Sequence, residues 1–222
     1  MCGSIDRASK KAAIDLVSAF AQQNQLVLGQ QKVDDKSNEI TAIPKLLIQL
    51  DIAGAVVTMD AMGCQTQIAE QIIAQQADYV LSLKGNQRSL YDDVERLFRS
   101  NLSPEVGDIQ YAGEHGRIET RRVRATADIQ WLKDRHPHWS GLTSMIAVTA
   151  TRELKTKTEE ETRYFISSLD AMDPKRLGKI VREHLRMENN LHWVLDQVFD
   201  EDAQRARKAI AQRICQSSGT SR

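Results

Sequence analysis

The run Ala55 to Met59 (AVVTM) constrains the fold more than any other stretch, because it is continuous, apolar and rich in β-branched residues, and Asp60 closes it. A strand that is apolar on both faces must be covered on both sides, which makes it a central strand of a helix-flanked sheet. Asp60 then stands at that strand's carboxyl end, where open α/β sheets place their chemistry. A second carboxylate, Glu188 in RMENNLHWVLD, lies in similarly apolar surroundings far along the chain. An unpartnered carboxylate on a buried face is costly or takes up a proton, so two of them call for a shared cation.

The rest of the pattern alternates between two periods. Ala13 to Phe20 and Leu26 to Val33 read as short strands joined by a polar hairpin-like QQNQ. A helix follows, capped by Ser37 or Asn38 and striped by Ile40, Ile43, Leu47 and Leu50, with Pro44 marking a late first turn or a kink. After Asp60, Ile68, Ile72 and Ile73 stripe a helix, and Tyr79 to Leu83 forms a strand broken by Lys84-Gly85-Asn86. Leu90, Val94, Leu97 and Phe98 then stripe another helix. The order β-β-α-β-α-β-α requires at least one parallel crossover, so the class is α/β. Asp60 and the loop from Lys84 to Gln87 are expected to share one sheet edge.

From residue 104 to 168 the pattern changes to short alternating segments. GRIETRRV, SMIAVTA and TRYFISSL read as strands and KDRHPHWSG as a loop, so a β-rich segment is expected to interrupt the core. Helix resumes near Pro174. Its apolar positions Leu177, Val181, His184, Leu191 and Leu195 step by threes and fours, and Glu188 falls on the same stripe and is expected to face the sheet.

Composition excludes several classes. At 222 residues, 41% hydrophobic and 27% charged, the chain can bury a sizeable core. Cys2, Cys64 and Cys215 have no disulfide or zinc-knuckle spacing. No run approaches the length of a membrane span and no signal-peptide core is present, so the cytoplasm is expected. Thirty basic and thirty acidic residues cancel, but Arg117, Arg121, Arg122 and Arg124 cluster in HGRIETRRVR, and further basic residues, Arg182 among them, populate the last quarter. Such patches can track phosphates or simply be solvated faces.

Several motifs occur together and in order: LVLGQQKVDDKSNEITAIPKLL, GAVVTMDAMGCQ, DYVLSLKGNQ, HGRIETR and RMENNLHWVLD followed by FDED. Across residues 3 to about 208 the chain resembles the H-repeat-associated group of bacterial insertion-sequence transposases, members of the DDE superfamily. The resemblance implies a ribonuclease-H-like α/β fold, a mixed sheet with flanking helices and a β-rich insertion before the last helix. Residues 1–103 would form the first part of the core, 104–168 the insertion, 169–208 the helix that carries the catalytic Glu and completes the core, and 209–222 an aberrant or disordered tail. It also implies that Asp60 and Glu188 are catalytic and metal-binding, the second and third members of an acidic triad holding two Mg2+ (or Mn2+) ions. Lys84, Asn86, Gln87, His115, Arg117, Arg121 and Arg182 would contact DNA.

The function implied is DNA transposition: metal-dependent phosphodiester cleavage at the element's ends, then strand transfer into target DNA. Partners would be double-stranded DNA and a second subunit, as a homodimer or a mixed dimer with intact transposase, and no membrane. In complete members the first triad Asp precedes the segment matching Cys2-Gly3-Ser4, and the match is lost after Lys208. This copy is therefore expected to be truncated at both ends, to lack its first core strand, to be inactive alone and to be poorly soluble. The alternative is a non-catalytic DNA-binding or subunit-interaction remnant that interferes with intact transposase. A plain structural reading stands beside each assignment: Gly85-Asn86 as a turn, Arg117, Glu119 and Arg121 as a cross-strand ion ladder, His136 and His138 as loop residues without a third metal ligand, and Cys64 as a small buried residue.

Overall fold

The computed structural model describes residues 16–22, 24, 26–34, 38–100, 106–114, 117–153, 157–198 and 213–215; for 106, 111–114, 117, 118, 188–198 and 213–215 the backbone alone is described. A seven-stranded mixed sheet is flanked by helices, with a separate antiparallel pair beside it. That pair is β1 (Leu16–Ala21) and β2 (Leu26–Lys32). Helix α1 (Glu39–Ile48) follows, and its cap is Asn38, whose Oδ1 accepts the Thr41 N–H at 3.2 Å. Pro44 is accommodated inside this helix, and its carbonyl accepts from the Gln71 side chain at 2.9 Å.

The central run forms β3 (Val56–Met59), and all four of its residues are buried. Helix α2 (Thr66–Ala74) returns the chain to β4 (Asp78–Leu83), which pairs parallel to β3 with Met59 opposite Leu81. Helix α3 (Arg88–Ser100) follows. The next segment is a meander: β5 (Val106–Glu114), β6 (Arg117–Thr126), the short helix α4 (Gln130–Arg135), β7 (Ser144–Glu153) and β8 (Thr158–Ser167). The strand order is β5-β6-β7-β8-β4-β3-β9, with β9 (Arg213–Cys215) antiparallel on β3. Because β8 pairs antiparallel with β4, the β-rich segment continues the same sheet. Three elements differ from the alternation read in sequence: β5 and β9 are strands that the pattern does not distinguish, β9 lying within the tail expected over 209–222, and the first residues of KDRHPHWSG end helix α4.

Two apolar layers hold the sheet. On one face Val57, Met59, Tyr79, Leu81 and Leu83 pack with Ile43, Leu47, Ile68, Ile72, Leu90 and Phe98 from α1, α2 and α3. On the other, Val56, Val80, Val123, Ile146 and Phe165 pack with Leu177, Ile180 and Val181 of helix α5 (Pro174–Val198). The approach of α5 is close, since a Cβ on Gly178 would stand 2.5 Å from Gln110 Nε2 and 2.7 Å from a Val123 methyl. A side chain at that position would push the helix off β5 and β6.

Candidate active-site edge

Asp60 follows β3 directly with extended backbone (φ −70°, ψ −179°). Alternation along the strand puts Val56 and Thr58 on the α5 face, and the same alternation brings Asp60 to that face at the strand end. The chain then turns through one 3-10 turn, Ala61–Gly63. Asp60 Oδ1 accepts the N–H groups of Met62 at 3.1 Å and Gly63 at 3.4 Å, so the carboxylate caps its own turn. The other oxygen, Oδ2, has no hydrogen bond among the described residues, and the residue is half-buried. Cys64 is fully buried beside it; burial, then the Asp60 charge, pushes its thiol far up, so it stays protonated and unreactive.

Lys84, Asn86 and Gln87 follow β4 on the same edge. Lys84 is exposed and close enough to β8 for its charge to act on Glu161. The amides of Asn86 and Gln87 turn back into the protein. Asn86 Nδ2 donates to the Ala61 carbonyl, and Gln87 Nε2 donates to the Cys64 carbonyl at 3.0 Å.

Helix α5 docks on β3 through a buried polar pair, His184 Nδ1 and Thr58 Oγ1, 3.1 Å apart. Among its described residues Leu177, Ile180, Val181, His184 and Met187 are buried, three of them (Leu177, Val181 and His184) on the stripe read from sequence; the side chains of Leu191 and Leu195 lie outside the described residues. Glu188 lies on α5 one turn past His184; its side chain is outside the described residues. Arg182 is half-buried on the same helix. Among the described residues no group of three or more His, Cys, Asp and Glu forms a metal cluster.

The basic cluster divides between two faces, because adjacent residues of a strand point to opposite sides. Arg121 lies on the α5 side and pairs with Glu119 at 2.8 Å, and Arg152 approaches the same carboxylate at 3.8 Å. Arg121–Glu119 is thus a pair within β6 and Arg152–Glu119 the cross-strand contact, while the Arg117 side chain of the expected ladder lies outside the described residues. Arg122 and Arg124 lie on the α3 side, lining a groove of about 640 Å³ with Tyr91, Arg99 and Tyr164. His115 lies outside the described residues, and Arg117 is described in its backbone alone. His136 is held by the buried Asp93 at 2.9 Å, joining α4 to α3, which accounts for it without a metal. Sequence reasoning placed His184 on the buried stripe but did not foresee Thr58 as its partner; a hydroxyl inside an otherwise apolar central strand was the available signal.

The model of the family described as "Transposase DDE domain" matches residues 3–214. Among relatives, "Putative transposase YncI" of Escherichia coli O157:H7 is 43% identical over 96% of this chain and 56% of its own length. "H repeat-associated putative transposase YhhI" of Escherichia coli strain K12 is 39% identical over 95% of this chain and 57% of its own. "H repeat-associated putative transposase YbfD" of the same strain is 48% identical over 53% of this chain. The chain thus spans little more than half the length of the longer-matching relatives. The mixed sheet with flanking helices agrees with the ribonuclease-H-like fold expected from the motifs. With the family model matching nearly the whole chain, this protein belongs to the DDE transposase family.

Proposed function

We propose that the edge carrying Asp60 is the phosphodiester-processing site of an insertion-sequence transposase, with Glu188 of α5 as its second carboxylate. The observation that carries this reading is the docking of α5 on β3. The His184–Thr58 pair fixes the helix one turn before Glu188 to the strand two residues before Asp60. The donor set fits a hard divalent cation, since among the described residues one Asp60 carboxylate oxygen accepts no hydrogen bond, at a half-exposed strand end. Asp60 and Glu188 would hold Mg2+ or Mn2+, which when bound neutralises phosphate charge and lowers the pKa of water. The protein residues do the rest. Lys84, exposed at the same edge, attracts the DNA phosphates, and Arg121 on β6 and Arg182 on α5 are further cationic candidates, while His115, Arg117, Asn86 and Gln87 are assigned to DNA by the motifs alone.

The reaction class is in-line phosphoryl transfer at DNA, and DNA with a second subunit are the partners. The inactivity expected from the motifs is carried forward as part of this proposal: the chain alone binds DNA without cleaving it. The test measures Mn2+ binding and cleavage of DNA taken from the borders of the element. Mn2+ binding that Asp60→Asn abolishes, with DNA bound and uncut, is the expected result. Failure to bind either Mn2+ or DNA would sink the reading, and metal-dependent cleavage abolished by Asp60→Ala would overturn the inactivity. A second reading is a DNA-binding or subunit-interaction remnant without catalysis, for which the arginines of β6, Arg121, Arg122 and Arg124, offer a cationic surface. Salt-sensitive DNA binding indifferent to Asp60→Asn and to metal would select it.

A further inference from the structure

The turn that carries Asp60 is built in an unusual way for an exposed edge. Three of its carbonyl groups each receive a side-chain amide. Asn86 Nδ2 donates to Ala61, Gln65 Nε2 donates to Met62 at 3.2 Å, and Gln87 Nε2 donates to Cys64 at 3.0 Å. Gln87 Nε2 also lies 3.4 Å from Gln65 Oε1, which ties two of the three amides to each other. The backbone adds the Cys64 N–H to Ala61 at 3.2 Å and the Gln65 N–H to Gly63 at 2.9 Å.

Two of the donors come from the loop after β4, which the parallel register of β3 and β4 sets beside the Asp60 turn. We infer that Asn86, Gln87 and Gln65 form an amide clamp that positions the Asp60 carboxylate for its cation. This assigns Asn86 and Gln87 a positioning role in place of direct DNA contact.

Asp60 takes its orientation from the turn that follows it. Its Oδ1 is fixed by the N–H groups of Met62 and Gly63, so the carboxylate points wherever the 61–63 turn points. The clamp holds the carbonyls of residues on either side of those N–H groups. A turn of three residues has too few internal bonds to hold itself against thermal opening, and the amides supply the missing constraints. Partners of this outer kind, which orient a ligating carboxylate, typically change metal affinity by ~10–100-fold when removed. Ala, Ser or an apolar residue of the same size at position 86 or 87 would leave the loop its backbone and the turn without its braces.

The clamp rests on the metal-site reading only for its purpose, so the experiment has two readouts. The intact chain and the variants Asn86→Leu and Gln87→Met, each near the volume of the original and without a donor, are titrated with Mn2+ followed by electron paramagnetic resonance. Hydrogen exchange of the Met62 and Gly63 amides is measured in the same proteins without metal. Arg88→Gln, at the first position of α3 and outside the clamp, is the control. The expected result is Mn2+ binding weakened about tenfold in both variants, faster exchange at Met62 and Gly63, and an unfolding midpoint close to that of the control. Wild-type affinity with unchanged exchange would overturn the clamp. If the intact chain binds no Mn2+ that Asp60→Asn abolishes, the metal reading falls and the exchange data alone decide. Protection lost in the variants upholds the brace, and protection kept overturns it.

Discussion

The half of the sheet around β3 and β4 and the outer half of the β7–β8 hairpin obey different rules within the same strands. β3 is buried at every residue, and so is β4 after Asp78. β7 begins buried at Ser144 and ends exposed at Arg152 and Glu153; β8 runs the opposite way, from exposed Thr158–Glu161 to buried Tyr164–Ser167. Leu83, the last residue of β4, pairs with Tyr164, so the change of character falls where β4 stops and the hairpin projects beyond it. One sheet therefore serves as both core and platform. Its sealed part fixes Asp60, and its projecting part carries charge past the same edge.

The largest effect should separate these halves. Leu81→Ala removes a fully buried side chain between α-helices and sheet, and is expected to cost about 2–5 kcal/mol. Thr151→Ala on the projecting hairpin is expected to stay within about 0.5 kcal/mol. Urea denaturation of both variants checks this, and equal losses would mean that the hairpin is part of the cooperative core.

A smaller effect tests the seam between the core and α5. Thr58 is buried in β3, and Thr58→Val keeps its shape while removing the oxygen that meets His184 Nδ1. A loss of about 1 kcal/mol is expected, the usual net contribution of one hydrogen bond. A double-mutant cycle with His184→Phe should show coupling. Additive losses would show that apolar packing alone seats the helix.

The sealed half was the more legible in sequence, for a physical reason. A strand covered on both faces has no freedom to be polar, so AVVTM could be read directly, and Asp60 was conspicuous because it ended the run. The α5 stripe was legible for the same reason, and Leu177, Val181 and His184 are buried as its period required. β5 was not, because VGDIQYAGE mixes glycine and polar residues on an edge where burial does not discipline the pattern. α4, at six residues, is too short for a helical period to emerge. Asn86 and Gln87 exposed a different limit, since an amide that would meet DNA and one that meets a backbone carbonyl look alike in sequence. Only the parallel register of β3 and β4 showed where these two point.

On the platform, effects should appear in DNA binding before they appear in stability. Arg121 is engaged by Glu119 at 2.8 Å, an arrangement that competes with any phosphate. Glu119→Gln releases it and removes a negative charge from the α5 side, so DNA binding is expected to tighten about threefold at low salt and by less as salt rises. Fluorescence anisotropy across a salt series measures this. Unchanged affinity would place Arg121 outside the DNA path and leave the ladder as a purely structural feature.

The smallest effect expected is one of pH on the hairpin itself. The Arg163 hydrogen bond holds the Glu161 carboxyl below its usual range; desolvation opposes it, and the charges of Arg163, Arg152 and Lys84 each add a smaller lowering. A depressed folded pKa stabilises the folded form above the unfolded value near 4.5, and that contribution is lost as pH falls through the folded value. Both partners are substantially exposed, so solvent screens the pair and global stability should barely register it. Local amide exchange is the sensitive probe. Between neutral pH and pH 3, after correction for intrinsic exchange rates, protection at the outer end of β7 and β8 should fall in the natural chain and fall less in Glu161→Gln. Protection around β3 and β4 should respond alike in both proteins. A pH response at β3 that depends on Glu161 would join the two halves into one unit and remove the distinction between core and platform.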